Sequence, residues 1–219
     1  MAGARQVPLS SQDGQGSTQV SLAGLILAGG ESRRMGSPKA LLDFDGETFL
    51  DRLILTLAGA CSPVIVVLGC EPQRIRAGLR CAELATIVTN QDYRRGQLSS
   101  LQLGLAAVPP EAEGVMFTPV DYPAVRPSTI ARIARRFQTR QPNEWLVVPC
   151  SQGRHGHPVC LVCDLIPEFL ALAGDAQARD VIRGHRQQTV YEDVDDAGIL
   201  EDVDDPESYA RLRGNRPIE

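Results

Sequence analysis

The chain has 219 residues, 43% of them hydrophobic and 22% charged, enough for one sizeable α/β domain of ordinary globular composition. A net charge of −5 argues against a dedicated nucleic-acid or anionic-membrane surface, and apolar runs such as Val64–Leu68 are far too short to span a bilayer. Six cysteines spread over this length, with no small-domain framework, point to reduced thiols in a cytoplasmic protein.

Residues 1–20 carry one early arginine and no apolar stretch, so they do not read as a secretory signal. Their Gln, Ser and Gly content predicts a disordered leader before a single domain at 21–219. Leu22–Ala28 is a nearly continuous apolar run, as expected of a strand covered on both faces. A helix follows over 48–58, where Phe49, Leu50, Leu53, Leu57 and Ala58 share a face. The β-branched Val64–Leu68 is a second strand, with a helix over 72–79 behind it. Ala85–Thr89 and 114–118 are the third and fourth strands; helices are expected over 98–107 between them and over 127–137, opened by Pro127. A fifth strand spans 145–148. Beyond it come a Gly/His segment, a strand at Val159–Val162, helices near 165–172 and 176–184, a strand at 189–191 and a last helix started by Pro206. This alternation predicts a doubly wound, mostly parallel, Rossmann-like α/β sheet with a mixed C-terminal edge. Ligands of such sheets bind beyond the carboxyl ends of the strands, so the residues after each strand are the candidates.

The first of these loops belongs to the stretch LILAGGESRRMGSPKALL. Of 22 Lys+Arg residues only Lys39 is a lysine, which marks a position wanting a compact point charge rather than a planar fork. Gly29 and Gly30 let backbone N–H groups approach an anion, Gly36 permits an unusual backbone angle, and Arg33, Arg34 and Lys39 supply positive charge. A polyphosphate is the natural guest. The spacing is neither that of a P-loop nor that of a dinucleotide fingerprint. After the third strand, Asn90 precedes Gly96-Gln97-Leu98-Ser99-Ser100, a helix start offering N–H groups and hydroxyls either to a ligand or to an ordinary cap. After the fourth, Asp121 stands between Pro119 and Pro123, suited to a divalent ion such as Mg²⁺, which needs only one or two carboxylates besides substrate phosphates. Late in the chain Asp202 and Asp204 share a side if extended, with capping of the last helix as the competing role. Residues 153–163 contain H-x-H and C-x-x-C, the elements of a zinc site. Cys160 and Cys163 fall in a buried strand where they point to opposite faces, so small core residues are preferred.

Over residues 27–39, L-A-G-G-x-S-x-R-M-G-x-x-K resembles the opening signature of the molybdenum cofactor nucleotidyltransferases, the MobA-like NTP transferases. The resemblance implies a loop that wraps a nucleoside triphosphate through Leu27, Ala28, Gly29, Gly30, Arg33, Arg34, Met35, Gly36 and Lys39, with Arg34 and Lys39 on the phosphates. The segment at 96–105 is similar to the family's G-x-x-x-S-L-x-x-G-L block, which implies that Asn90, Ser99 and Ser100 approach the nucleotide. P-x-D-x-P makes Asp121 the metal ligand, and D-x-D-T-P-E-D-L makes Asp204 a second, although Asp205 and Ser208 depart from that pattern. Gly156, His157 and Pro158 resemble a block bordering the acceptor, and 174–179 resembles a G-D-x-G-A-R block. The implied reaction is Mg²⁺-dependent transfer of a nucleotide from an NTP to the terminal phosphate of a molybdopterin-type acceptor, with Arg34, Lys39 and Asp121 catalytic. A molybdoenzyme receiving the product is the implied partner. Ala28-Gly29-Gly30 resembles the guanylyl branch and the later blocks the cytidylyl branch, which favours CTP over GTP. A sugar-phosphate nucleotidyltransferase, a non-catalytic cofactor carrier and a zinc-binding interaction protein are the alternatives.

Overall fold

The computed structural model describes residues 21–173 and 176–214. The expected leader at 1–20 and the first two residues of the 174–179 block lie outside the described residues. In chain order the elements are β1 (Leu22–Ala28), β2 (Asp43–Phe44), β3 (Glu47–Thr48), α1 (Phe49–Ala58), β4 (Val64–Leu68), α2 (Pro72–Gly78), β5 (Ala85–Thr89), α3 (Gln97–Ala106) and β6 (Gly114–Pro119). They continue with α4 (Pro127–Gln138), β7 (Leu146–Ser151), β8 (Arg154–His155), β9 (Val159–Val162), α5 (Ile166–Leu170), α6 (Ala178–Gly184), β10 (Thr189–Asp193) and α7 (Pro206–Gly214).

The main sheet runs β10-β7-β9-β6-β1-β4-β5, with β8 paired to β7. β1 is parallel to both β4 and β6, and all seven of its residues are buried. Burial on two faces requires cover on two faces. A Cβ placed on Gly24 would meet Leu57 of α1 at 3.4 Å, whereas the next side chain, Leu25, reaches Gly104 of α3. Successive strand residues point to opposite sides, so α1 and α3 lie on opposite faces of β1. Gly104 is the contact that lets α3 settle: a methyl there would stand 2.4 Å from Leu25 Cδ1.

The mixed character falls inside the C-terminal half of the sheet. β9 runs antiparallel between β6 and β7, and β10 restores parallel pairing with β7 at the rim. Two hairpins add to the predicted pattern. β2 and β3 join through Asp45 and Gly46, with φ of 58° and 80°; β7 and β8 join through Gln152 and Gly153, with φ of 52° and 75°. Two consecutive positive-φ residues make the tight turn that matches strand twist. Thr48 ends the first hairpin by accepting the Asp51 N–H and capping α1. Among the described residues no helix is long and apolar enough to cross a membrane.

Candidate functional site

The carboxyl ends of β1, β4, β5 and β6 open on one side of the sheet, and a continuous cleft lies across them. Its first chamber, about 500 Å³, is lined by the β1 loop with Lys39, Asp121 and Asp204. A middle chamber of about 240 Å³ shares Gly30 and Tyr93 with the first. It shares Leu27, Gly96 and Gln97 with a third, about 490 Å³, which reaches Phe117, Tyr122 and His157.

The β1 loop is held by close backbone packing. A Cβ on Gly69 would stand 2.4 Å from the Gly29 carbonyl oxygen, and one on Gly29 would stand 2.6 Å from Ser100 Oγ. Ser32, at φ 51°, turns the chain and accepts the Lys39 N–H at 2.9 Å. That bond aims the lysine inward, where its ammonium donates to Asp204 Oδ1 at 2.5 Å and to Asp121 Oδ2 at 3.5 Å. Arg34 Nη2 donates to the other oxygen of Asp204 at 3.2 Å. Two carboxylates are thus bridged by one ammonium whose side chain is 13% exposed.

Asp204 reaches this cluster because the Val203 N–H donates to the Asp121 carbonyl at 2.8 Å, fastening the C-terminal segment beside the end of β6. The start of α7 is served by its neighbours. Asp205 Oδ1 accepts the Ser208 N–H, and Ser208 Oγ accepts the N–H groups of Asp204 and Asp205. The residues that depart from the family pattern therefore cap each other, and the Asp204 carboxylate is left to face the lysine.

The two acids differ electrostatically. Burial raises the pKa of Asp121; Lys39 pulls it back and the charge of Asp204 pushes it up again. Hydrogen bonding from Lys39 holds Asp204 below its ordinary value, helped by Arg34. Asp121 Oδ1 is buried without a hydrogen-bond partner. An orphaned carboxylate oxygen in an all-oxygen acidic pair fits a hard divalent ion that completes its coordination with phosphate oxygens and water. Among the described residues no three or more His, Cys, Asp or Glu are grouped so as to hold a metal. His155 is stacked on Tyr191 at 4.0 Å, while Cys160 is fully buried.

The other expected residues divide. Arg33 lines the first chamber but is ion-paired with Glu31 and stays outside the Lys39 cluster. Met35 and Gly36 form the turn that returns the loop, Met35 N–H to Ser32 O and Gly36 at φ 67°, away from the cleft lining. Asn90 is buried and spends its amide on Ser99 and Ser100 Oγ at 2.9 and 3.0 Å, so it acts on the cleft through Ser100. His157 lines the third chamber, whereas Gly156 and Pro158 support it from outside the lining. A Cβ on Gly156 would stand 2.0 Å from the Ile199 carbonyl oxygen. Desolvation pulls the His157 imidazole down to about 4, so the ring is neutral near pH 7. Burial, reinforced by Asp121, Asp202 and Asp204, pushes the Tyr122 phenol up to about 12 and keeps it a donor. Ser32, Gln97 and Arg179, which fall within the quoted motifs, also line the cleft; Glu31, Tyr93, Arg94 and Tyr122 line it without a sequence signal of their own. Tyr93 and Arg94 lie in the loop that leaves the β5 end, where the strand rule points.

A mostly parallel sheet with β8 and β9 reversed, a glycine loop leaving its central strand, and a lysine clasped by two acids beyond the strand ends make up a nucleotidyltransferase fold. The MobA-like NTP transferase domain matches residues 24–190, and the chain belongs to that family. It is 31% identical over 199 residues to nicotine blue oxidoreductase of Paenarthrobacter nicotinovorans, covering 87% of this chain and 96% of that protein. It is 26% identical over 185 residues to the molybdenum cofactor cytidylyltransferase of Escherichia coli K12, covering 84% and 92%. The crystal structure of Rv0371c from Mycobacterium tuberculosis H37Rv superposes with a TM-score of 0.77 at 27% identity, over 90% of this chain and all (100%) of that one. Rv0371c has also been solved in complex with manganese, TM-score 0.72 at 25% identity, again over 90% of this chain and 100% of that one.

Proposed function

We propose that the chain is an Mg²⁺-dependent nucleotidyltransferase that moves CMP from CTP to the terminal phosphate of a molybdopterin-type acceptor and releases pyrophosphate. The observation that carries this is the Lys39–Asp121–Asp204 cluster at one end of a cleft whose far end combines the aromatic Phe117 and Tyr122 with His157, Arg95 and Arg179. The backbone of Gly29 and Gly30 lies against the phosphates, and Arg34 and Lys39 neutralise charge on the departing pyrophosphate. Asp121 and Asp204 hold the divalent ion, which when bound screens the triphosphate and makes the α-phosphorus more electrophilic. The attacking group is an acceptor phosphate oxygen, already anionic, so no side chain has to remove a proton. Tyr122 and His157 line the acceptor chamber, where a neutral imidazole and a protonated phenol suit a flat heterocycle with polar edges. Catalysis then consists of alignment and charge neutralisation.

Support for CTP comes from the cytidylyltransferase relative matched over 92% of its length and from the later sequence blocks; Ala28-Gly29-Gly30 favours GTP as the runner-up. The 31% relative supports an oxidoreductase as the second candidate, although hydride transfer gives no role to a cationic loop facing paired acids. The test is pyrophosphate release with Mg²⁺ and each of CTP, GTP, UTP and ATP, with and without molybdopterin, beside Asp121→Ala. Molybdopterin-dependent release with CTP, lost by at least about 100-fold in the variant, is expected. Release with no NTP, together with decolorisation of nicotine blue in the presence of a reductant, would replace the transferase by the oxidoreductase. Saturable nucleotide binding without release would move the carrier role forward.

A further inference from the structure

Lys39 occupies an unusual place for a phosphate-binding lysine. Its ammonium is not extended into the open first chamber; it lies against both acids, 2.5 Å from Asp204 and 3.5 Å from Asp121, while Arg34 holds the second oxygen of Asp204. Both carboxylates are thereby engaged by cations of the chain itself. A bare divalent ion entering here would have to break the short Lys39–Asp204 contact and leave a positive ammonium, 13% exposed, beside the incoming ion with no new partner. An ion arriving with a polyphosphate meets a different balance, because the phosphate oxygens receive the displaced ammonium.

We infer that Lys39 is a built-in substitute cation, which closes the acidic pair to free metal and releases it only when a nucleotide triphosphate supplies the ammonium with a new partner. This rests on the metal role given to Asp121 and Asp204 above. The lysine exchanges carboxylate for phosphate in the same event that admits the ion, so metal and nucleotide enter as one ligand. Asp121 Oδ1, buried and without a hydrogen-bond partner, is the oxygen left for the ion once the lysine has moved to the phosphates.

Because Lys39 is the only lysine of the chain, protein grown with [ε-¹³C]lysine gives a single lysine side-chain signal, and the wild type reports on its own switch. The signal is expected to stay in place when Mg²⁺ is added alone and to move when Mg²⁺ and CTP are added together. A second measurement follows free Mn²⁺ by its paramagnetic resonance. Lys39→Met is expected to bind bare Mn²⁺ on the order of tenfold more tightly than wild type, a usual size for site-to-site coupling, and Mn²⁺–CTP more weakly. Bare Mg²⁺ moving the signal as far as Mg²⁺–CTP does would overturn the inference, as would equal Mn²⁺ affinity in wild type and a folded Lys39→Met. Failure of wild type to bind Mn²⁺ even with CTP present would overturn the metal assignment itself, a separate outcome.

Discussion

Gly29 lies where the β1 loop, the start of α3 and the buried Asn90 meet, and replacing it by alanine gives a quantitative test of how that junction is built. Its φ is outside the left-handed region, so alanine suits the backbone and only the added methyl matters. That methyl would stand 2.6 Å from Ser100 Oγ but an ordinary 3.6 Å from Ser100 Cβ. The hydroxyl must therefore swing away, giving up the bond it accepts from Asn90 Nδ2 at 3.0 Å. Loss of one such bond costs about 1 kcal/mol, or about 2–4 °C in the melting midpoint of a domain this size. Ser100→Ala loses the same bond by deletion and costs about the same. In the double variant the clash is gone and the bond is lost once, so the two costs do not add and the coupling is about −1 kcal/mol. Thermal or urea unfolding of the four proteins, followed by the fluorescence of Trp145, the single tryptophan, measures each corner of the cycle. Additive costs would refute the contact; a Gly29→Ala protein as stable as wild type would show that the loop moves instead of the serine.

His157 makes stability depend on acidity. Its folded value lies near 4 against an ordinary 6.5, so between those values the unfolded chain binds the extra proton and stability falls as pH falls. The shift corresponds to a loss of up to about 3 kcal/mol by pH 4, and urea titrations at pH 7 and pH 4.5 should show a smaller difference for His157→Gln than for wild type. Asp196 is buried and receives the N–H groups of Arg126 and Gly198 and the hydroxyl of Thr129, tying the 194–198 loop to the first turn of α4. Asp196→Ala leaves these donors unpaired and is expected to cost about 3 kcal/mol, seen as a melting point lowered by about 6–12 °C with transfer activity retained at low temperature.

Much of the fold is visible in the chain because its strands are buried on both faces and therefore read as uninterrupted apolar runs. Leu22–Ala28, Val64–Leu68 and Val159–Val162 end where their composition ends, whereas the edge strand Ala85–Thr89, partly exposed, is legible through its β-branched residues instead. The direction of β9 is not visible: its four buried residues would look the same in either sense, and its place between β6 and β7 is set by long-range pairing. The Asp45-Gly46 hairpin did carry a local signal in its dipeptide, but its strands are two residues long and have no periodicity to register. At the site, charge and glycine spacing point to the β1 loop and the strand-end rule to Asp121. Nothing local draws Asp204 to Lys39, 165 residues earlier; only the family pattern implied a shared ion. The supporting roles of Asn90 and Gly156 are three-dimensional, since each is defined by which neighbour consumes its polar group or fills its missing side chain.

The fastening of Val203 to Asp121, with Tyr209 donating to the Asp43 carbonyl at 2.7 Å, also ties a late segment of the chain to two points in its first half. β1, β4, β5 and β6, the glycine loop and the first acid are all encoded before residue 122, whereas β7, β9, β10 and the second acid come later, so Lys39 meets one carboxylate from each half of the chain. Asp204 stands just before α7, so that helix and the Val203–Asp121 bond together act as the clasp that carries the second acid to Lys39.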